Sequence, residues 1–433
     1  MTQPAPALAP TRAWHVRVRW KIFGCLFAFG MVAYLQQRTI TVAGHQMMPQ
    51  LGISQEQLGW LETAFLVGYT CLQFPGGLLG QRLGARRLFV LISGVAVLAM
   101  LVAPLAPLLF AGGALFLVLA AAQLLLGAAQ GPIFPVSAGV FEAWFAAEQW
   151  PLVQGLQSMG LQLGAAVAPP LITLLMSGFG WQRAIVWTTL PVLLLIAVWA
   201  WYGRNSPAEH PSVDAAELAE LGAPPAPPAE AALSWRRVLT LLRSRDVLAL
   251  TLSYVCMNYV FYLVANWTFL YLVQERHFTV LESGWLAVSP PIAAAIGAGL
   301  GGLFGTILQR RLGVRRGLRL IPLVSLPAAG LLVLAAAGAA DGYLAALALA
   351  LCFACIELNE GPYWAAIMQV GRADTMAASG VLNTGGNLGG VIATPIIAYL
   401  SARQAWAPAF ALGTVLAMVS AALWLLVDPT RKA

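Results

Sequence analysis

A single arginine, Arg38, lies near the middle of a long apolar stretch that covers residues 20–44. A charge at that depth in a membrane is costly and is retained mostly for function. The guanidinium group is a planar fork of donors that suits a carboxylate or a phosphate held by two hydrogen bonds. Tyr34 and Thr41 fall on the same helical face, and Gln37 lies beside them. We therefore predict that Arg38 binds the negative group of a ligand. The alternative is an arginine that reaches for the membrane surface or pairs with a structural acid.

Two glutamates, Glu357 and Glu360, lie in another apolar stretch, over residues 342–369. A low dielectric favours the neutral form of a carboxylate, and two carboxylates within one helical turn disfavour each other's charge. Such a pair is suited to binding and releasing a proton. We predict that Glu360, assisted by Glu357, carries a proton. The alternative is a structural pair that is hydrogen-bonded to Arg38 or to the helix backbone.

Further polar side chains recur at helical spacing in the fourth, seventh, tenth and eleventh apolar stretches. They are Gln123 and Gln130, then Tyr254, Asn258, Tyr262 and Asn266, then Trp364, and finally Asn383 and Asn387. If each half of the chain is a pair of inverted three-helix repeats, the first, fourth, seventh and tenth helices are equivalent and line a central cavity. The two asparagines of the eleventh stretch either close a helix contact or touch the ligand. The predicted substrate-binding set is Tyr34, Gln37, Arg38, Gln130, Tyr262, Asn266, Trp364 and Asn387.

The composition defines the elements that must hold these side chains. Hydrophobic residues make up 60% of the chain and charged residues 9%, with a mean hydropathy of +0.77. A soluble domain has roughly a quarter of its residues charged, and a membrane-spanning helix needs about 20 apolar residues. We predict an all-α membrane protein with twelve transmembrane helices, at residues 20–44, 57–80, 87–106, 108–131, 152–176, 182–203, 247–273, 284–308, 318–338, 342–369, 376–400 and 405–427.

A basic hexapeptide occurs twice, as Arg-Leu-Gly-Ala-Arg-Arg at 82–87 and as Arg-Leu-Gly-Val-Arg-Arg at 311–316. Each copy follows an apolar helix, which indicates a duplicated six-helix unit, the architecture of secondary transporters. We predict two pseudo-symmetric bundles, over residues 1–203 and 246–433, joined by a solvated linker at 204–245 that contains the Pro-rich segment 224–228. The arginines of the two hexapeptides are predicted to act in conformational gating: Arg82, Arg86, Arg87, Arg311, Arg315 and Arg316.

The positive charges are distributed unevenly about the predicted spans. Of the 24 Lys and Arg residues, all but Arg38, Arg183, Arg276 and Arg403 fall on the side that holds the N-terminus. Because cationic loops resist translocation, we predict that both termini are cytoplasmic, in a bacterial inner membrane. The formal net charge of +7 is spread over several loops and does not indicate nucleic-acid binding. Cys352 and Cys355 have C-x-x-C spacing without a second ligand pair, so no metal is expected.

Several motifs resemble the major facilitator superfamily along the whole chain and, within it, the anion:cation symporter family. They lie at 73–77 with the first hexapeptide, at 205–213 (Asn-Ser-Pro-Ala-Glu-His-Pro-Ser-Val), at 259–262 with Trp267 and Tyr271-Leu272, at 361–364 and at 383–390. The resemblance implies import of an organic anion, such as a sugar acid or an aromatic carboxylate, together with protons or, in some members, sodium. It implies no cofactor.

The chain departs from that family at its usual carboxylates. Where the family reads Tyr-Leu-Asp-Arg in its first helix, this chain reads Tyr34-Leu-Gln-Gln-Arg38, and the acidic position of the fourth helix is Gln130. Either coupling has moved to Glu357 and Glu360, or the protein is an uncoupled uniporter, an exchanger or an exporter. A membrane enzyme would need a catalytic triad, a metal set or an output domain, which the sequence lacks. We therefore predict a monomeric transporter whose partners are a small anionic molecule, protons and the lipid bilayer.

Overall fold

The computed structural model describes residues 17–221 and 235–431. Within these ranges the chain is almost entirely helical and has no β-strand. Eight helical stretches are long and apolar enough to cross a membrane. Two of these stretches each contain a pair of spans, and the helices Gln55–Leu83 and Thr375–Ser401 supply the two remaining spans of the described residues. The predicted all-α membrane protein with twelve transmembrane helices is confirmed.

The first half contains six spans built from six helices. These are α1 (Val18–Leu51), α2 (Gln55–Leu83), α3 (Ala85–Leu105), α4 (Gly112–Gln130), α5 (Ile133–Trp144) and α6 (Trp150–Tyr202). The helices α4 and α5 form one span that is broken at Gly131 and Pro132. The helix α6 contains two spans, because Gly180 has non-helical dihedral angles of φ 76° and ψ 165°.

Side-chain contacts show that the chain reverses direction at Gly180. A Cβ atom on Gly164 would lie 2.3 Å from the Met31 carbonyl oxygen, so the first part of α6 packs on the N-terminal part of α1. At the other end of α1, the indole of Trp181 donates to the Gln50 side chain at 2.7 Å. The ring of Trp199 then packs against Phe29, so the second part of α6 returns to the starting side.

The second half repeats this arrangement. After the short helices α7 (Ala215–Leu221) and α8 (Trp235–Arg243), its spans are built from α9 (Arg245–Gln274), α11 (Ser289–Gly338), α12 (Gly342–Glu357), α13 (Glu360–Gly371), α14 (Thr375–Ser401) and α15 (Trp406–Trp424), with α10 (Val280–Leu286) between the first two. The helix α11 contains two spans that meet at Gly313. One span consists of α12 and α13, which are separated by Leu358 and Asn359, so it is broken like the span of α4 and α5.

The two hexapeptides form the same turn. Gly84 has φ 77° and ψ 148°, and Gly313 has φ 78° and ψ 167°. Residues other than glycine rarely adopt a positive φ, which explains why both positions are glycine. The backbone NH of Arg86 donates to the Asn205 side chain at 2.9 Å, and the equivalent Arg315 pairs with Asp428 at 3.5 Å.

These turns hold each half together internally. Asn205 follows the last span of the first half, and Asp428 follows the last span of the second. Hydrogen bonds from Thr430, together with the charge of Arg315, lower the pKa of Asp428. The other four arginines of the predicted gating set, Arg82, Arg87, Arg311 and Arg316, are exposed. The described contacts of Arg86 and Arg315 therefore lie within one half each, and gating by the six arginines stays a prediction.

The two halves approach most closely on the face that holds the start of α1 and the end of α15, here called the terminal face. A Cβ atom on Gly77 would lie 2.2 Å from the Met376 carbonyl oxygen, and one on Gly155 would lie 2.4 Å from that of Ala298. The backbone NH of Leu152 also donates to Thr306 Oγ1 at 3.1 Å. Backbone against backbone leaves no room for a passage, so the terminal half of the interface is sealed.

The linker is only partly the solvated segment that its composition predicts. Residues 222–234, with the Pro-rich run, lie outside the described residues. The part that is described packs against the bundle, because the backbone NH groups of Val18 and Arg19 donate to Glu217, and Arg19 pairs with Glu220 at 2.8 Å. Carboxylates at a helix N-terminus satisfy its free NH groups and its dipole. Acids of the described linker therefore cap the first span, and the division into two bundles joined by a linker at 204–245 stays a prediction.

Candidate functional site

Two cavities lie between the halves, one above the other. The larger, here called the outer cavity, has a volume of about 520 Å³ and is lined by the half of α1 and α9 nearer the face opposite the terminal one. The smaller, here called the inner cavity, has a volume of about 60 Å³ and lies nearer the sealed face. Tyr262 lines both cavities and therefore lies at the boundary between them. Ligand pockets commonly form at such interfaces between bundles or domains.

The outer cavity contains the predicted cation. Arg38 is half-buried and lines it together with Gln37, Asn266 and Trp267. Among the described residues, no carboxylate lies within ion-pair distance of the Arg38 guanidinium. The indole NH of Trp267 is buried and has no partner. The cavity thus offers a cation and two amides to a ligand.

One acid lines the outer cavity as well. Glu62 of α2 is exposed, and Thr41 of α1 donates to its carboxylate at 2.8 Å. The structure turns the Glu62 side chain toward the cavity that contains Arg38.

The inner cavity contains Glu360, whose carboxylate is almost fully paired. The Tyr254 hydroxyl lies 3.0 and 3.1 Å from its two oxygens, and the Trp364 indole donates at 2.9 Å. Ser158, which belongs to the first half, donates at 3.4 Å. Glu360 is 7% exposed. Trp364 was predicted to bind substrate, but its indole donor is already used by Glu360.

Only one of the two carboxylate oxygens of Glu357 has a hydrogen-bond partner. Gln162 of α6 donates to its Oε1 at 3.0 Å, whereas Oε2 is buried without a partner. The side chain is 2% exposed. Both carboxylates therefore belong to the second half and are hydrogen-bonded by side chains of the first. A change in the charge of either glutamate acts directly on the contact between the halves.

The break in the tenth span presents the two glutamates to the cavity. The helix α12 ends at Glu357, and α13 begins at Glu360. Between them the Asn359 amide donates to the carbonyls of Cys355 and Ile356, and Ser325 donates to its oxygen at 2.8 Å. A helix interruption of this kind is tolerated in a membrane only where protein groups satisfy the freed backbone.

A second internal repeat accompanies this break and escaped the sequence reasoning. Glu360-Gly-Pro-Tyr-Trp364 corresponds to Gln130-Gly-Pro-Ile-Phe134 in the first half. The rings of Phe134 and Trp364, which are equivalent, touch across the interface with centroids 5.8 Å apart. The repeated Gly-Pro pair was visible in the sequence and would have identified Gln130 as the neutral counterpart of Glu360.

Gln130 itself lies away from both central cavities. It is 3% exposed and donates to Gln36 at 3.0 Å. The two amides line a separate small space within the first half. The structure therefore does not place Gln130 with the other residues of the predicted substrate set, because its amide is paired with Gln36 of α1 within the first half.

The remaining predicted residues are divided between the linings of the two cavities. Tyr34 and Asn387 line the inner cavity, where Tyr262 donates to the Asn387 oxygen at 3.0 Å. Asn387 in turn donates to the Asn383 carbonyl at 2.9 Å. Of the predicted set, only Gln37, Arg38, Tyr262 and Asn266 line the outer cavity.

Two six-span halves around a central polar cavity that is sealed at one end define a membrane transporter, not an enzyme. The family comparison agrees. Residues 26–377 match the model of the Major Facilitator Superfamily, and the chain belongs to that family.

Similar proteins include the probable sulfoacetate transporter SauU of Cupriavidus necator, with 25% identity over 90% of this chain and 89% of the relative. The probable galactarate/D-glucarate transporter GudP of Bacillus subtilis has 27% identity over 68% of this chain and 66% of the relative. Among solved structures, the proton:xylose symporter XylE has a TM-score of 0.77 at 12% identity, covering 95% of this chain and 96% of that chain. The last likeness concerns the fold alone.

Proposed function

We propose that this chain imports a small organic anion, a sugar acid or another carboxylate, together with protons by alternating access. The observation that carries the proposal is the half-buried Arg38 guanidinium, which lines the largest described cavity without a carboxylate partner. A cation held at that depth needs a counter-charge, and a ligand carboxylate supplies one through two hydrogen bonds. The relatives support an organic anion as the general class of substrate, since their names specify sulfoacetate and galactarate or D-glucarate.

The coupling proposal rests on the buried glutamate pair. Burial disfavours the ionised form of a carboxylate, so each of these groups is suited to binding a proton. Glu360 accepts from Ser158, and Glu357 accepts from Gln162, so both bonds cross from one half to the other. Protonation weakens such charge-assisted bonds. Protonation of the glutamates therefore weakens the contact between the two halves, which must rearrange when the halves move during alternating access.

The alternative is an uncoupled uniporter, an exchanger or an exporter on the same fold. It is favoured by the neutral pair Gln36 and Gln130, which hydrogen-bond to each other where the resembling family usually has carboxylates. A pH gradient distinguishes the two functions, because only the coupled carrier accumulates substrate in response to it.

The function is tested by a thermal-shift screen of the purified protein against carboxylates, sugar acids and their neutral analogues. A ligand at 100 times its Kd stabilises the folded state by about 2.7 kcal/mol, which raises the melting temperature. We expect at least one organic anion to raise it, whereas the neutral analogue of that anion does not. If only neutral sugars or only cations stabilise the protein, anion transport is the wrong function.

We further propose that the terminal face is cytoplasmic, in a bacterial inner membrane, so that the outer cavity faces outward. The charge asymmetry of the loops supports this orientation. Single cysteines replacing Gly112 and Ala208, in a version without native cysteines, should react with an impermeant maleimide from opposite sides of intact cells. Gly112 should react from outside and Ala208 only after lysis. Reaction of Ala208→Cys in intact cells would reverse the assignment.

A further inference from the structure

The outer and inner cavities together are lined by more acidic than basic side chains. Among the described residues that line them, Arg38 is the one cation, and Glu62, Glu357 and Glu360 are carboxylates. The three acids lie at two different depths of the pathway. Glu62 lies toward the open end of the pathway, and the glutamate pair lies toward the sealed end.

The position of Glu62 relative to Arg38 follows from its bond to Thr41. Thr41 and Arg38 are three residues apart on α1, which is roughly 4.5 Å along the helix axis. The Glu62 carboxylate and the Arg38 guanidinium therefore line the same cavity. Glu62 is exposed, its hydrogen-bond donor is a neutral hydroxyl, and no described Lys or Arg lies within ion-pair distance of its carboxylate.

We propose that the site selects an anion with a single negative group and several hydroxyls, and that Glu62 is the residue that excludes diacids. This inference rests on the proposed function and specifies its substrate class. A ligand carboxylate at Arg38 leaves the rest of the molecule in the cavity that Glu62 also lines. A second anionic group is repelled there, whereas a hydroxyl donates a hydrogen bond to Glu62. The amides of Gln37 and Asn266 suit the remaining hydroxyls.

The experiment compares D-gluconate with D-glucarate, which share a six-carbon hydroxylated chain and differ by one carboxylate. Binding is measured by calorimetry on the purified full-length protein at neutral pH and fixed ionic strength. We expect the wild type to bind gluconate at least about tenfold more tightly, which is about 1.4 kcal/mol. Glu62→Gln, which keeps a hydrogen-bonding group for Thr41, should strengthen glucarate binding at least about fivefold and change gluconate binding much less. Glu62→Ala should relieve the repulsion as well.

The matched control is Glu56→Gln, which removes the same charge from the exposed start of α2, outside both cavities. It should leave the ratio of the two affinities unchanged. A wild type that binds glucarate as tightly as gluconate overturns the inference, and so does a Glu62→Gln variant with an unchanged ratio. If neither acid binds, the inferred substrate class is wrong. The proposed function then still stands if another carboxylate binds in a manner that depends on Arg38.

Discussion

Replacing Arg38 with alanine is expected to weaken anion binding at least about 100-fold, because the ligand carboxylate loses two charged hydrogen bonds. Arg38→Lys keeps the charge but loses the planar fork of donors. It should weaken binding by about 1–3 kcal/mol. Calorimetry with the anion identified in the thermal-shift screen measures both losses. Bidentate binding predicts that the wild type binds the anion most tightly, Arg38→Lys less tightly and Arg38→Ala least tightly.

The matched control is Arg183→Ala, since Arg183 is an exposed arginine outside both cavities. Its anion affinity should equal that of the wild type, and the melting temperatures of the unliganded variants show whether they fold. An Arg38→Ala variant with full affinity would remove Arg38 from the binding site. The inner cavity between α9 and α13 would then be the remaining candidate.

Replacing the buried carboxylates with amides is expected to abolish uphill uptake driven by a pH gradient while substrate exchange continues. An amide imitates a permanently protonated carboxylate, so the carrier can no longer release its proton. Glu357→Gln is the cleaner variant, because its oxygen can still accept from Gln162. Glu360→Gln should also lose accumulation. Its exchange rate should fall as well, since an NH₂ group would face one of the donors Tyr254, Ser158 or Trp364.

Proteoliposomes with an imposed pH gradient measure accumulation, and counterflow without a gradient measures exchange. Glu275→Gln serves as the control, because Glu275 is exposed at the end of α9, outside both cavities. It should accumulate substrate as the wild type does. If the amide variants at 357 and 360, alone and combined, still accumulate substrate, these glutamates do not couple transport to protons.

The fold could be predicted from the sequence because its signals are local. Twelve apolar stretches are long enough to span a bilayer. A glycine-containing turn occurs once in each half and indicates the duplication, and its glycines, Gly84 and Gly313, share a positive φ. The depth of Arg38 is likewise a property of its own helix. Predictions of this kind need only helix periodicity and the cost of placing a charge in lipid.

The arrangement of the site could not be predicted in the same way, because it depends on contacts between distant segments. Gln162 and Glu357 are 195 positions apart, and nothing local in either helix selects the other as a partner. Gln130 and its partner Gln36 are 94 positions apart, and neither helix alone indicates that the two amides pair. Whether Glu62 faces the cavity that contains Arg38 depends on the rotation of α2 about its own axis, and a shift of one residue rotates a side chain by about 100°.

The central claim is that a proton gradient drives an organic anion through the pathway that contains Arg38 and the glutamate pair. The most direct measurement is uptake of the identified anion by wild-type proteoliposomes whose exterior is made acidic relative to the interior. We predict accumulation above the external concentration that collapses when a protonophore is added. Uptake that only equilibrates, with or without the pH gradient, would contradict proton coupling and identify the protein as an uncoupled carrier.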